Sequence, residues 1–251
     1  MKTLFRQALI GSALFLLAGG VNAALIAHYT FDDGTAANDQ GDSSRDLTSV
    51  GTNSFAGGSY RSDGSSSNYL EVSGPGGMSD FTVSLWAFTE TANQGDFKGL
   101  FSNNTGSTTS ASWQIDSSSG SFVLNSAQGS SPATFGPVLE NTWQHIVLQK
   151  FGGNNARLYL DGSPVGNLGY NPGGLQNFRI GINRNSNQSF DGFIDNIRIF
   201  NDSAQDVATL FAEGPGRNAA TPVPAPGTVA LVGIGMLALA ALRRRTRAAE
   251  L

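Results

Sequence analysis

Residues 190–200 read Phe-Asp-Gly-Phe-Ile-Asp-Asn-Ile-Arg-Ile-Phe, a run that predicts a long β-strand. Residues two apart in a strand share a face. One predicted face holds Ile194, Asn196, Arg198 and Phe200. The other holds Phe193, Asp195, Ile197 and Ile199, and it is apolar except for its single carboxylate.

That carboxylate, Asp195, is the sharpest chemical signal in the strand. A charged group on an apolar face is costly unless it is paired, hydrogen-bonded or bound to a cation. Two interpretations follow from the sequence. Either Asp195 accepts backbone hydrogen bonds at the end of a strand, or it is a ligand of a metal ion.

The composition favours a β-rich domain with many turns. The 251 residues include 32 glycines, only 14% are charged and 10% are aromatic. The chain has no cysteine, which excludes disulfides and thiol chemistry. One domain of ordinary size plus targeting segments is expected for this length.

The charge of the expected extracellular part limits its partners. Residues 24–227 contain nine Lys and Arg against eighteen Asp and Glu, which gives a net charge of −9. This balance argues against nucleic acid and anionic polymers as partners. It is compatible with neutral glycans and with divalent cations.

The spacing of apolar residues predicts a two-layer β-sandwich. In residues 81–88 one face is Phe81, Val83, Leu85 and Ala87, and the other includes Trp86 and Phe88, so both faces are covered in part. Ser203 and Asp206 predict the start of a short helix that ends before Gly214. Strands are predicted over residues 24–31, 68–72, 81–88, 99–102, 111–116, 122–124, 141–150, 156–160, 178–182 and 190–200.

The two ends of the chain predict export. Residues 1–23 have a basic start, an apolar run and Val21-Asn22-Ala23, the pattern of a secretory signal peptide. Residues 215–227 form a Pro-rich linker. Residues 228–251 contain an uncharged run, Thr228 to Leu242, followed by arginines, which predicts a membrane span with a cytoplasmic tail.

Five segments together resemble the laminin-G-like family. They occur in the family's order and cover about residues 24–214. The resemblance implies an all-β, concanavalin A-like jelly-roll sandwich of two antiparallel sheets. The segments are residues 28–34, 81–86, 142–147, 158–162 and 190–201.

The resemblance also implies a structural calcium ion. Laminin-G-like domains often hold one between an Asp of an early loop and an Asp of the closing strand. In this sequence the early-loop candidates are Asp32, Asp33 and Asp39, and the late one is Asp195. The alternative is a solvated acidic loop, with Asp195 accepting hydrogen bonds from backbone amides.

Sequence motifs argue against catalysis. Glycanases with this jelly roll usually carry Glu-x-Asp-x-x-Glu, and none of Glu71, Glu90, Glu140 and Glu213 begins such a motif. His28 and His145 lie within strand patterns, which favours packing or hydrogen bonding. With two histidines and no cysteine, a zinc site is not expected.

Side chains that suit a sugar ligand occur near predicted loops. Aromatic rings pack against the apolar faces of sugars, and amides bond to their hydroxyls. Trp86 and Trp143 match core positions of the family and are expected to pack. The predicted ligand-binding residues are Trp113, Tyr170, Asn104, Asn183, Arg184 and Asn185.

The sequence therefore predicts a secreted, non-enzymatic module that binds a glycan or an extracellular matrix polymer. Two alternatives remain open: a structural matrix or biofilm component without a sugar site, and a polysaccharide hydrolase or lyase with divergent carboxylates.

The C-terminal segment resembles the PEP-CTERM sorting signal of Gram-negative bacteria. The matching residues are Pro224, Ala225 and Pro226, with the hydrophobic span and the arginines after them. Ala225 stands where that signal usually has Glu. The resemblance implies an exosortase-type sorting protease as a partner, a transient tether in the inner membrane, and delivery to the cell surface or matrix.

Overall fold

A computed structural model describes residues 24–40, 42–72, 77–103, 112–127, 131–153, 155–168 and 172–216. The predicted signal peptide, the sorting motif Pro224-Ala225-Pro226 and the hydrophobic span lie outside the described residues. Among the described residues, helices have neither the length nor the hydropathy that a membrane span requires.

The described residues form two antiparallel sheets that pack face to face. The first has eight strands: β1 (Leu25–Tyr29), β3 (Ser54–Ala56), β4 (Ser59–Asp63), β6 (Phe81–Thr89), β11 (Trp143–Phe151), β12 (Asn155–Leu160), β13 (Ser163–Leu168) and β15 (Asp191–Phe200). The second has seven: β2 (Thr48–Val50), β5 (Tyr69–Val72), β7 (Lys98–Asn103), β8 (Trp113–Ser118), β9 (Ser121–Ser126), β10 (Ala133–Pro137) and β14 (Phe178–Ile180). This is the concanavalin A-like sandwich that the sequence predicts.

Strand β15 lies at the centre of the eight-stranded sheet. One edge pairs with β6, and the other pairs first with β4 and then with β1. Its apolar residues Ile194, Ile197 and Ile199 enter the core between the sheets. The long strand predicted from residues 190–200 is therefore confirmed.

The predicted alternation within β15 is wrong after Asp195. A β-bulge interrupts the pairing with β6 between Asp195 and Arg198, and Asn196 has a φ of 46°. Asparagine tolerates this left-handed conformation better than most residues, and the extra residue reverses the in-and-out order. Asp195 consequently leaves the core face and pairs with Trp86 of β6, while Ile197 stays inside.

Strand β6 has two covered faces, as its sequence predicts. Val83, Leu85 and Ala87 face the core, whereas Trp86 faces outward against helix α1 (Val207–Glu213). The ring of Phe211 in α1 stacks on Trp86 at 5.5 Å.

The predicted start of this helix at Ser203 is three residues too early. Asp206 is the N-cap, because its side chain accepts a hydrogen bond from Ala208 N at 3.1 Å. Gly214 ends the helix as predicted.

Candidate functional site

The outer face of the seven-stranded sheet, turned away from the core, holds most of the predicted ligand residues that the structure describes. Strand β8 shows how the two faces divide. Trp113 and Ile115 belong to the core, and Gln114 and Asp116 therefore project from the outer face.

Trp113 is not an exposed sugar contact, and the prediction for it is wrong. Its ring is fully buried between Phe81 and Phe101, at centroid distances of 5.5 and 5.6 Å and nearly parallel to both. Its indole N–H points toward Gly174 O at 3.4 Å. The position is occupied by a core aromatic, because β8 places its odd-numbered residues inside.

A loop of residues 182–189, Ile-Asn-Arg-Asn-Ser-Asn-Gln-Ser, crosses this outer face, and we call it the amide loop. It passes so close to Gly99 of β7 that a Cβ there would lie 2.2 Å from Asn183 N. Gly99 is the cross-strand partner of Asp116. Glycine at this position thus lets the loop lie directly on the sheet.

Asn183 holds the amide loop together. Its side-chain N–H₂ donates to Asn187 Oδ1 and to Gln188 Oε1, each at 2.9 Å, and its Oδ1 accepts from Asn187 N at 3.0 Å. The residue is only 1% exposed. Asn183 was predicted to bind ligand directly, but its buried, fully used amide makes it a positioning residue for the loop.

Arg184 and Asn185 lie where a ligand could reach them. Asn185 is exposed, and Arg184 is half-buried. Arg184 is anchored to β8, since its N donates to Gln114 Oε1 at 3.0 Å and its Nη1 donates to Ser112 O at 3.3 Å. The other two predicted ligand residues, Asn104 and Tyr170, lie outside the described residues.

Asp116 is a buried carboxyl group that lies beneath the amide loop. It was not among the residues predicted from the sequence. Its Oδ2 accepts a hydrogen bond from Gln114 Nε2 at 2.6 Å, and its Oδ1 has no hydrogen-bond partner among the described residues. Burial raises the pKa of Asp116 to about 7, against smaller opposing effects from Gln114 and Arg184. Its place directly after the core residue Ile115 in β8 was the available signal.

The four residues predicted to bind a metal do not form one cluster. Asp39 Oδ2 accepts from Thr30 N at 2.8 Å, and Asp33 Oδ1 accepts from Thr35 N at 2.9 Å, so both stabilise the early loop. Across the part of the chain that the structure describes, no three His, Asp or Glu side chains are grouped as metal ligands.

Asp195 and Asp32 nevertheless lie within electrostatic reach of each other. Burial raises the pKa of Asp195 to about 7, and the Asp32 carboxylate adds to that shift. Asp195 Oδ1 accepts from Asn196 N at 2.6 Å. Its Oδ2 has no well-aligned hydrogen-bond partner among the described residues. The Gly216 N–H and the Ser59 hydroxyl nevertheless lie near enough to oppose part of the rise in the pKa of Asp195.

Both histidines lie in the polar layer under α1, on the outer face of the eight-stranded sheet. His28 Nε2 is 2.7 Å from Asn196 Oδ1, and His145 Nε2 is 2.8 Å from Ser84 Oγ. Burial, with Arg198 nearby, lowers the pKa of His28 to about 4 and that of His145 to about 3. They are neutral, hydrogen-bonded interior residues at neutral pH, as their strand positions predict.

Comparison with known proteins identifies the family. A laminin G family model, described as the concanavalin A-like lectin/glucanases superfamily, matches residues 62–207. The chain belongs to this superfamily. Among curated proteins no match to this laminin-G-like domain was found.

Several solved structures share the fold of this laminin-G-like domain. One is domain 4 of AbnA, a GH43 extracellular arabinanase from Geobacillus stearothermophilus, in complex with arabinotriose. Its sequence identity to this chain is 17% and its TM-score is 0.56, and the match covers 75% of this chain and 98% of that one. The binding domain of botulinum neurotoxin DC in complex with SialylT has 13% identity and a TM-score of 0.57, with 75% and 51% covered. The binding domain of Paraclostridial mosquitocidal protein 1 has 17% identity and a TM-score of 0.56, with 74% and 51% covered. This chain therefore spans about half of either toxin domain.

Proposed function

We propose that this laminin-G-like domain is a non-enzymatic module that binds a neutral glycan or matrix polymer at the amide loop. The observation that carries the proposal is the loop itself, whose exposed Asn185 and half-buried Arg184 are fixed to the sheet through Asn183, Gln114 and Ser112. Amide and guanidinium groups held in place in this way match the hydroxyl groups of sugars.

Two further facts support a sugar ligand. Arabinotriose is bound in the structure of the similar arabinanase domain, and SialylT in that of the similar neurotoxin domain. The acidic balance of residues 24–227 disfavours an anionic polymer and leaves a neutral one as the better partner.

The state of the carboxyl groups on this face supports binding without catalysis. Asp116 is fully enclosed beneath the amide loop. Glu71 of β5 pairs with Arg179 of β14, with 2.9 Å between Oε2 and Nε. Hydrolysis of a glycosidic bond needs two carboxyl groups on either side of an accessible sugar.

The proposal predicts that Arg184→Ala combined with Asn185→Ala weakens retention on neutral polysaccharides about 30-fold, because each of the two lost hydrogen bonds to ligand contributes about 1 kcal/mol. Retention of the full chain on a panel of immobilised polysaccharides measures it. Asn167→Ala is the matched control, since Asn167 is exposed on β13 of the opposite sheet. If the parent chain binds none of the polymers, the structural-component alternative replaces this one.

We also propose a calcium ion at Asp195 and Asp32, with backbone oxygens completing its ligands. The supporting observations are the buried Oδ2 of Asp195, which has no well-aligned hydrogen-bond partner among the described residues, and the nearby Asp32 carboxylate. Asp33 and Asp39 would shape the early loop. A bound cation would offset the burial of Asp195 and the repulsion between the two carboxylates.

The calcium proposal predicts that a chelator lowers the melting temperature of the parent chain by several degrees. Asp195→Asn should abolish the response to added calcium, because it removes the buried charge that the ion neutralises. Asp206→Asn serves as a control at the N-cap of α1, away from this pair. A melting temperature that the chelator leaves unchanged would remove calcium from the account.

The destination of the protein is proposed from the sequence of its two ends. The signal peptide would export the chain, and the C-terminal span would tether it until an exosortase-type protease acts near Pro226. The binding domain would then reside at the cell surface or in the extracellular matrix.

A further inference from the structure

Three aromatic side chains lie side by side across neighbouring strands on the outer face of the eight-stranded sheet. They are Trp143 of β11, Phe88 of β6 and Phe193 of β15, and we call them the aromatic row. Phe88 is the cross-strand partner of both others. The ring centroids are 5.6 Å apart between Trp143 and Phe88 and 6.0 Å apart between Phe88 and Phe193.

The aromatic row is separate from the core. None of its members belongs to the buried cluster between the sheets or packs against it, and each is half-buried. Helix α1 covers the adjacent part of this face, where Phe211 stacks on Trp86. A pair of aromatic rings on neighbouring strands is explained by cross-strand packing alone. Three contiguous rings that keep exposed surface indicate an interaction site.

Charged groups surround one end of the row. The Arg61 guanidinium lies 5.1 Å from the centroid of the Phe193 ring. It also pairs with Asp191 Oδ1 at 2.6 Å and Glu90 Oε2 at 3.3 Å, and both carboxylates are more than half exposed.

These charges decide what kind of molecule fits. An anionic polymer would meet the carboxylates of Asp191 and Glu90 against one guanidinium that is already paired with both. A lipid or an apolar helix would bury those ion pairs without replacing their water. A neutral sugar chain suits both parts of the surface, because its ring faces cover aromatic rings while its hydroxyls bond to the carboxylates.

We propose that the aromatic row is a second, separate binding surface for a neutral polysaccharide chain. This surface is distinct from the amide loop, which lies on the opposite sheet. The two proposed sites have only the class of ligand in common. With one surface on each face of the sandwich, a single domain joins two polymer strands. The protein would then act as a cross-linker of the matrix as well as a binder.

The test uses the full chain and insoluble cellulose, chitin and xylan, with alginate beads as the anionic comparison. Trp143→Ala with Phe193→Ser should lower retention on the neutral polymer about tenfold, with the circular dichroism spectrum unchanged. Phe151→Ala is the matched control, since Phe151 is half-buried on the same face of β11, about 27 Å along the strand from Trp143. The control should bind like the parent.

The outcomes separate the two surfaces. Retention that falls in the amide-loop variant but not in the aromatic-row variant overturns this proposal alone, and the reverse overturns only the amide loop. Mixed with a soluble form of the retained polymer, the parent should increase light scattering, and each variant should not. The parent chain could also prove to be a dimer that the Trp143 and Phe193 substitutions dissociate, while retention on the polymer stays unaltered. That result would assign the aromatic row to self-association and contradict the proposal.

Discussion

Replacing Trp113 by alanine should lower the free energy of unfolding by about 4 kcal/mol. The indole is fully buried and stacked between Phe81 and Phe101, and truncation would leave a large cavity between the sheets. Urea denaturation of the full chain, followed by tryptophan fluorescence or circular dichroism, measures the change. Trp113→Phe should cost much less, because a ring still fills most of the space.

Trp143→Ala is the matched control for this prediction. Trp143 is also a tryptophan in a strand, but it is half-buried and lies outside the core. Its truncation should cost about 1 kcal/mol. If both changes cost the same, the packing of the two sheets around Trp113 is wrong. The comparison also matters for binding studies, because loss of ligand binding in Trp113→Ala would report unfolding.

Asp116→Asn should stabilise the domain, and the gain should depend on pH. The pKa of Asp116 in the folded protein is raised to about 7 by burial, so the folded state holds the proton more tightly than the unfolded state does. Ionised Asp116 therefore costs stability in full above about pH 7, and the cost fades as the pH falls toward 4. The amide should add up to about 4 kcal/mol at pH 8 and little at pH 4.

Chemical denaturation at several pH values measures the effect. Asp33→Asn is the control for replacing a carboxyl group by an amide, because Asp33 is exposed in the early loop, and it should not reproduce the gain. A gain from Asp116→Asn that is equal at pH 4 and pH 8 would mean that the carboxyl group is not enclosed beneath the amide loop.

Much of the sandwich could be predicted from local sequence, because strong patterns fall on its central strands. Strand β6 carries apolar side chains at every second position, and β15 is rich in Ile and Phe. The structure places both strands in the middle of one sheet. The weaker strands β2, β3, β4, β10 and β13 were not predicted. They are short or rich in Ser, Gly and Pro, so their local sequence carries little of the apolar alternation that marks a strand.

The candidate site was harder to predict, because its features depend on contacts between distant parts of the chain. The bulge at Asn196 carries no periodic signal, yet it moves Asp195 from the core face to the outer face. The burial of Asp116 arises from a loop nearly 70 residues away that lies on Gly99. Arg184 and Asn185 could be selected by residue type, whereas the enclosure of Asn183 and Trp113 required the fold.

A neutral glycan bound at the amide loop should protect the backbone amides of that loop from exchange with solvent. Hydrogen exchange of the full chain, with and without an oligosaccharide from the retained polymer, tests it most directly. Exchange of the backbone amides of Asn185 and its neighbours in the amide loop should slow when the sugar is bound. Saturated binding with no slowing anywhere in residues 182–189 would contradict it.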